Sequence, residues 1–188
     1  MVSRLKTPTK SALTGLVRAL GVLLVGVIVG ATVSCARGFR AFANDQLSPK
    51  DQALAAELKD PINAYLQQKV GETGFGGRTF CAHKVFAIDQ SGDHIHAYIY
   101  GVCQEYYLKG QDLTKGTGSA VPAALVVQKD GAQYRIVSHE TPHDGASFSP
   151  DVERIFPPDV RKQVYSAPMN NASILSEIEN QARQFFHK

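Results

Sequence analysis

The sequence predicts an α+β fold, in which a four-stranded antiparallel meander of two hairpins lies between N-terminal and C-terminal helices. First, two pairs of segments rich in Val, Ile, Phe and Tyr each flank a polar turn, the pattern of a β-hairpin. Second, the residues before and after these segments place apolar side chains at helical spacing. Helices on both sides of an antiparallel meander are typical of an α+β domain, and we expect them to pack on one face of the sheet.

The N-terminal helices are predicted from two proline signals. Ser48 caps a first turn and Pro49 suits the first helical position, which indicates a helix over 50–59. The same signal recurs at Pro61 and predicts a second helix. Its apolar stripe consists of Ile62, Tyr65, Leu66 and Val70. The glycine-rich run 74–77 then predicts a loop.

The strands are predicted from composition and turn residues. Their ranges are 79–89, 94–108, 121–129 and 133–140. Residues 90–93 form the first hairpin turn, and Asp130 with Gly131 forms the second. The segment 109–119 contains three glycines, and we interpret it as a mobile loop between the hairpins.

The C-terminal part returns to a helical pattern. Ser149 and Pro150 open a short helix that ends before Pro157, and residues 159–165 form another. A last helix begins near Ser173. The side chains predicted to line its buried face are Ile174, Ile178, Ala182 and Phe185.

The charge of the chain is unevenly distributed. The formal net charge of the 188 residues is +3, but residues 1–43 contain six Lys or Arg and no acidic residue. The remaining residues therefore carry 14 basic and 17 acidic side chains. A nucleic-acid-binding domain should show a basic patch on its folded part, so we exclude nucleic acid as a partner.

Residues 1–36 predict a signal peptide or a membrane anchor. No charged residue occurs between 19 and 36, and residues 20–30 are nearly all apolar. Basic residues precede this stretch and favour a cytoplasmic N-terminus, so we expect the rest to be exported and the membrane to be a partner through this segment. Residues 37–47 are then a linker, and 48–188 form one extracytoplasmic domain.

Three fates of the targeting segment stay open. Residues 41–43, Ala-Phe-Ala, form a small-x-small site and predict a mature protein that begins at Asn44. Residues 32–35, Thr-Val-Ser-Cys, resemble a bacterial lipoprotein box and predict lipidation of Cys35. The third alternative is an uncleaved anchor.

The sharpest motif is residues 139–143, His-Glu-Thr-Pro-His, which matches the letters of the zinc-peptidase pattern. That chemistry needs both histidines on one helical face, and Pro142 inside the turn disfavours the helix. We therefore interpret the segment as a strand end followed by a polar loop. His139 and His143, with Asp144, are the candidate site of an enzyme of unrecognised type.

One face of the second strand carries the candidate binding residues. Side chains two apart point the same way, and those on this face are His94, His96, Tyr98 and Tyr100. Two imidazoles do not make a zinc site, so we interpret the histidines as solvated. The tyrosines suit packing beneath a helix, with a binding face as the alternative. No metal site, cofactor or catalytic residue is predicted.

Cys81 and Cys103 are predicted to form a cross-strand disulfide. Cleavage after residue 43 would remove Cys35 and leave an even pair, which fits an oxidising compartment. Centring the hairpin turn on Gly92 gives the pairs Val85 with Ile99, Ala87 with Ala97, and Cys81 with Cys103. Directly opposed residues of antiparallel strands lie within the Cα distance that a disulfide can span.

Several short motifs between residues 83 and 166 resemble a known extracytoplasmic domain. They are residues 102–107 (Val-Cys-Gln-Glu-Tyr-Tyr), 116–119 (Gly-Thr-Gly-Ser), Pro122, Asp130 with Gly131, 142–145 (Pro-His-Asp-Gly) and 155–157 (Ile-Phe-Pro). The domain occurs in some membrane metallopeptidases of the beta-lactam-sensing antirepressor type and in uncharacterised standalone envelope proteins. The resemblance implies a location outside the membrane and carries over no catalytic residue.

The sequence as a whole favours a non-enzymatic binding or sensory domain that faces the cell envelope, either anchored or secreted. Whether its partner is a protein or a small molecule stays open. The alternative is the enzyme whose site would lie in the region of His139, His143 and Asp144.

Overall fold

The computed structural model describes residues 47–92, 94–169 and 171–187. The predicted targeting segment 1–36, with Cys35, and nearly all of the linker lie outside these residues. Within them, four strands form one antiparallel sheet in the order β1-β2-β3-β4, so the predicted meander is confirmed. The elements are α1 (Pro49–Lys69), β1 (Arg78–Ser91), β2 (His94–Lys109), β3 (Asp112–Asp130), β4 (Gln133–Glu140), α2 (Phe148–Ile155), α3 (Pro158–Ser166) and α4 (Ala172–Phe186). None of the described helices combines the length and apolarity needed to span a bilayer.

Helix α1 is one continuous helix, not the two that were predicted. Ser48 caps it as expected, since its hydroxyl oxygen accepts the N–H of Asp51 at 3.2 Å. Pro61 lies inside the helix, where it cannot donate to the preceding turn. The helix continues past it because one apolar stripe packs on the sheet on both sides of the proline. The stripe consists of Leu54, Leu58, Ile62 and Leu66.

The first hairpin has the predicted register in the half that lies farther from its turn. The observed pairs include Val85 with Ile99 and Cys81 with Cys103. The expected pairing of Ala87 with Ala97 is wrong, because an irregularity after Val85 shifts the register and sets Ala87 opposite Tyr98. The two cysteine sulfur atoms lie at bonding distance, 2.01 Å, so the disulfide prediction is confirmed.

Helices cover both faces of the sheet, which corrects the expectation that they share one face. Central strand β2 is buried on both sides, so each face needs a cover. The α1 core comprises Leu54, Leu58, Ile62, Leu66, Cys81, Ile95, Ala97, Ile99, Cys103, Ala123, Leu125 and Val127. The C-terminal core comprises Phe80, Ala82, Phe86, Tyr100, Val102, Tyr106, Val152, Ile155, Phe156, Val160, Val164, Ala167, Ile174, Ile178 and Ala182.

The segment 109–119 is not a loop. Strand β3 begins at Asp112, and only a tight turn with Gly110 at φ +67° separates it from β2. The other glycines of the segment lie close to side chains of β2: a Cβ on Gly116 would stand 2.5 Å from Glu105 Oε2, and one on Gly118 would stand 2.9 Å from Gln104 Oε1. Close packing against β2, not mobility, explains the glycine content.

Candidate functional site

The His-Glu-Thr-Pro-His segment is the end of β4 followed by an irregular stretch, as predicted. Pairing of β3 with β4 ends at Ala124 and Glu140. Continued pairing would bring Pro142 opposite Pro122, and neither proline has an N–H to donate. The segment therefore lacks the helical geometry of a zinc peptidase.

The two histidines of this segment contact different helices. Tyr65 Oη of α1 and His139 Nδ1 lie 2.6 Å apart and share a hydrogen bond. His143 Nδ1 lies 2.6 Å from Asp151 Oδ2 of α2, and the His143 backbone N–H donates to the same oxygen. Asp144 is exposed and its side chain caps no helix. The structure thus does not bring His139, His143 and Asp144 together as a shared site.

Hydrogen bonds and ion pairs connect the end of β4 and the segment after it to α2. The hydrogen bonds from His143, together with Arg154, hold the pKa of the Asp151 carboxyl well below its usual range. Arg154 also pairs with Glu140. The Asp151 carboxylate orients the His143 ring as a general base would need, but the His143 side chain is 80% exposed. These contacts join the segment after β4 to α2.

The candidate face of β2 divides into packed and exposed residues. Tyr100 is buried in the C-terminal core, and Tyr98 packs on Phe156 with ring centroids 6.1 Å apart. These tyrosines pack beneath helices, which was the favoured interpretation. His94 is exposed and His96 is half-buried. Among the described residues, no three His, Cys, Asp or Glu side chains are grouped to hold a metal ion.

Glu105 is the most unusual polar residue of the described domain, because its side chain has no exposed surface. Its carboxylate accepts four backbone N–H groups. They belong to Gly74 (2.9 Å), Phe75 (3.0 Å), Gly77 (2.8 Å) and Thr117 (3.1 Å). Burial raises the pKa of the Glu105 carboxyl, but the four N–H donors outweigh burial and lower this pKa to about 2. Glu105 is therefore an ionised internal anchor.

The anchor fixes the loop between α1 and β1 against β2 and β3. Three of its four donors come from that loop, and glycines allow the close approach. A Cβ on Gly77 would stand 2.3 Å from the Tyr106 carbonyl oxygen, and Gly76 has φ +72°. The sequence predicts the loop from its glycines, but not that a strand carboxylate holds it.

The anchored loop presents an aromatic surface, here called the Phe75 surface. It consists of Phe75, Arg78, Tyr107, Leu108 and Phe185, and these residues line a cavity of about 330 Å³ together with Gly76, Gly77 and Phe186. Phe75 is 62% exposed, and its ring stacks on that of Tyr107 with centroids 5.4 Å apart and planes within 4°. Leu108 and Phe185 are also exposed, although Phe185 was predicted to be buried.

His83 is a half-buried histidine of β1 beneath α1. Its Nδ1 lies 2.7 Å from Asn63 Oδ1. Burial, and after it the charge of Lys59, lower the pKa of His83 to about 4. The folded protein therefore keeps His83 neutral under mildly acidic conditions.

We expect this histidine to make stability depend on pH. Between pH 6.5, the ordinary pKa of histidine, and about pH 4, His83 binds a proton in the unfolded chain but not in the folded chain. The free energy of unfolding therefore falls as the pH falls through this interval. His83→Gln should flatten this decline in urea unfolding measured from pH 7 to pH 4.5. His94→Gln, at an exposed histidine of β2, should keep the wild-type slope; parallel slopes for wild type and His83→Gln would contradict the expectation.

Comparisons with protein-family models, with curated proteins and with solved structures find no match to this chain.

Proposed function

We propose that this chain is a non-enzymatic, extracytoplasmic binding or sensory domain, anchored at the membrane or secreted, and that it binds its partner through the Phe75 surface. The observation that carries the proposal is the anchored aromatic loop. A buried charge is costly unless it is fully hydrogen-bonded, and the Glu105 carboxylate meets that requirement by accepting backbone N–H groups of the 74–77 loop. These hydrogen bonds fix the backbone of Phe75, whose side chain is exposed. Fixed, exposed aromatic side chains are typical of binding sites.

Two sequence features support an extracytoplasmic location. The charge and apolarity of residues 1–36 match an export signal or anchor. Cys81 and Cys103 are paired, and disulfides persist in oxidising compartments. The resemblance to an extracytoplasmic domain of antirepressor-type metallopeptidases agrees with this placement.

The alternative, an enzyme that uses the region of His139, His143 and Asp144, has less support. His139 is engaged by Tyr65 and His143 by Asp151, on different helices. A general base needs a reacting group within hydrogen-bond reach, in a site that positions the substrate. The geometry of the Phe75 surface favours binding instead.

Mass spectrometry of the protein from cells that express the full chain tests the location. We expect an extracytoplasmic fraction that contains a chain beginning at Asn44, a chain lipidated at Cys35, or an intact anchored chain. Deleting residues 19–30 should leave the protein in the cytosol with its two domain cysteines accessible to thiol reagents. Wild-type protein that begins at Met1 and stays in the cytosol would overturn the proposal.

A further inference from the structure

Arg78 gives the Phe75 surface a positive charge. Its guanidinium lies over the Phe185 ring, 4.3 Å from the centroid, and 5.8 Å from the centroid of Phe80. Arg78 is exposed, and no acidic side chain of the described residues forms an ion pair with it. This cation–π contact is made to the face of the Phe185 ring and uses no hydrogen-bond acceptor, so the N–H groups of Arg78 are available to one.

The cavity beside Arg78 sets the size of the apolar group that fits. At about 330 Å³ it lies at the small end of the range for ligand pockets, and aromatic rings form much of its lining. Such a space suits one aromatic or large aliphatic side chain. A carboxylate next to that side chain would meet Arg78, because guanidinium and carboxylate form strong paired hydrogen bonds.

A membrane surface fits this site less well than a peptide does. The residues after 43 carry 14 basic and 17 acidic side chains, and this acidic excess disfavours binding to an anionic bilayer.

A second copy of the chain also fits poorly. A two-fold contact would place the Phe75 surface against itself. That contact would bring two Arg78 side chains together, and none of the five residues that define the surface is acidic. Because no acidic side chain of the described residues pairs with Arg78, a different molecule is the source of counter-charge that this surface favours.

We infer that the Phe75 surface binds a segment of a partner protein in which an aromatic or large aliphatic side chain adjoins a carboxylate. The apolar side chain enters the cavity between the Phe75–Tyr107 stack and Phe185, and the carboxylate pairs with Arg78. This inference rests on the proposed binding function and specifies the chemistry of its partner.

Two model peptides test the inference by NMR. The probes are acetyl-Gly-Phe-Asp-Gly-amide and its Asp-to-Asn counterpart, titrated into ¹⁵N-labelled protein prepared from the full chain. We expect the Asp peptide to shift the amide signals of residues 74–77 and 107–109 and to bind about tenfold more tightly than the Asn peptide, as a charge-assisted hydrogen bond would produce. Arg78→Gln should abolish this difference, and Phe75→Ala should weaken both peptides.

Arg135→Gln is the matched control, because Arg135 is an exposed arginine of β4 outside the Phe75 surface. It should leave both affinities unchanged. Equal binding of the two peptides, no shift at the Phe75 surface, or an unchanged preference in Arg78→Gln would overturn the inference. So would shifts of these signals caused by phosphatidylglycerol vesicles in place of the peptide, or by protein concentration alone. If the protein is exported but binds neither peptide, only the inferred partner chemistry is wrong. If the protein stays in the cytosol, the proposed function is wrong.

Discussion

Glu105→Gln is expected to lower the midpoint of thermal unfolding by roughly 10 °C. The substitution keeps the shape of the side chain but replaces one acceptor oxygen by an NH₂ group. That group would face backbone N–H groups from the 74–77 loop or from Thr117, which are themselves donors. Buried donors without an acceptor are costly. Differential scanning calorimetry of the wild type and the variant measures the change.

Glu177→Gln is the control for removing a glutamate charge. Glu177 forms an ion pair with Lys59 at 3.0 Å, with its side chain partly exposed. Surface pairs of this kind contribute little to stability, so this variant should unfold close to the wild-type temperature. If both variants unfold at the wild-type temperature, Glu105 is not the anchor of the loop.

The same pair of variants should differ in how their free energy of unfolding depends on pH. The pKa of Glu105 is about 2 in the folded protein, against an ordinary value of 4.5. Its contribution to the free energy of unfolding is therefore complete above pH 4.5 and is lost as the pH falls toward 2. We expect urea unfolding between pH 6 and pH 2.5 to show that the free energy of unfolding falls less with falling pH in Glu105→Gln than in Glu177→Gln.

Local chemistry made much of the fold predictable. The α1 start follows from Ser48 and Pro49, and the second hairpin follows from Asp130 with Gly131, because these residues set the conformation of backbone within a few residues of themselves. Where packing against the rest of the fold determines an element, the local sequence predicts that element wrongly. Pro61 suggests a helix start, yet the stripe that continues past it holds α1 together.

The candidate site was much less predictable than the fold. Glu105 looks like one acidic residue in an apolar strand, and its four partners lie 12 to 31 residues away in a loop and a neighbouring strand. Backbone N–H groups have no sequence signature, so only the folded chain shows that they converge. The glycines at 74, 76, 77 and 116 carry the one available signal, but glycine indicates a turn as readily as a close approach.

The Cys81–Cys103 disulfide should have the other large effect on stability. Replacing both cysteines by alanine is expected to lower the free energy of unfolding by about 3 kcal/mol, because the bridge closes a loop of about 20 residues in the unfolded chain. The two side chains are buried in the α1 core, so lost packing adds to the effect. Urea unfolding of protein prepared under oxidising conditions measures it.

Reductant supplies the control that assigns this effect to the bridge. Wild-type protein unfolded with dithiothreitol should lose most of the same free energy, since reduction removes the loop closure while keeping both sulfur atoms in the core. The double alanine variant has no bridge to lose, so its unfolding midpoint should not respond to dithiothreitol. A wild-type midpoint that is equally insensitive would mean that the thiols are not joined in the purified protein. That result would also remove the cysteine pairing as support for an extracytoplasmic location, because the cross-strand geometry alone can hold two reduced thiols.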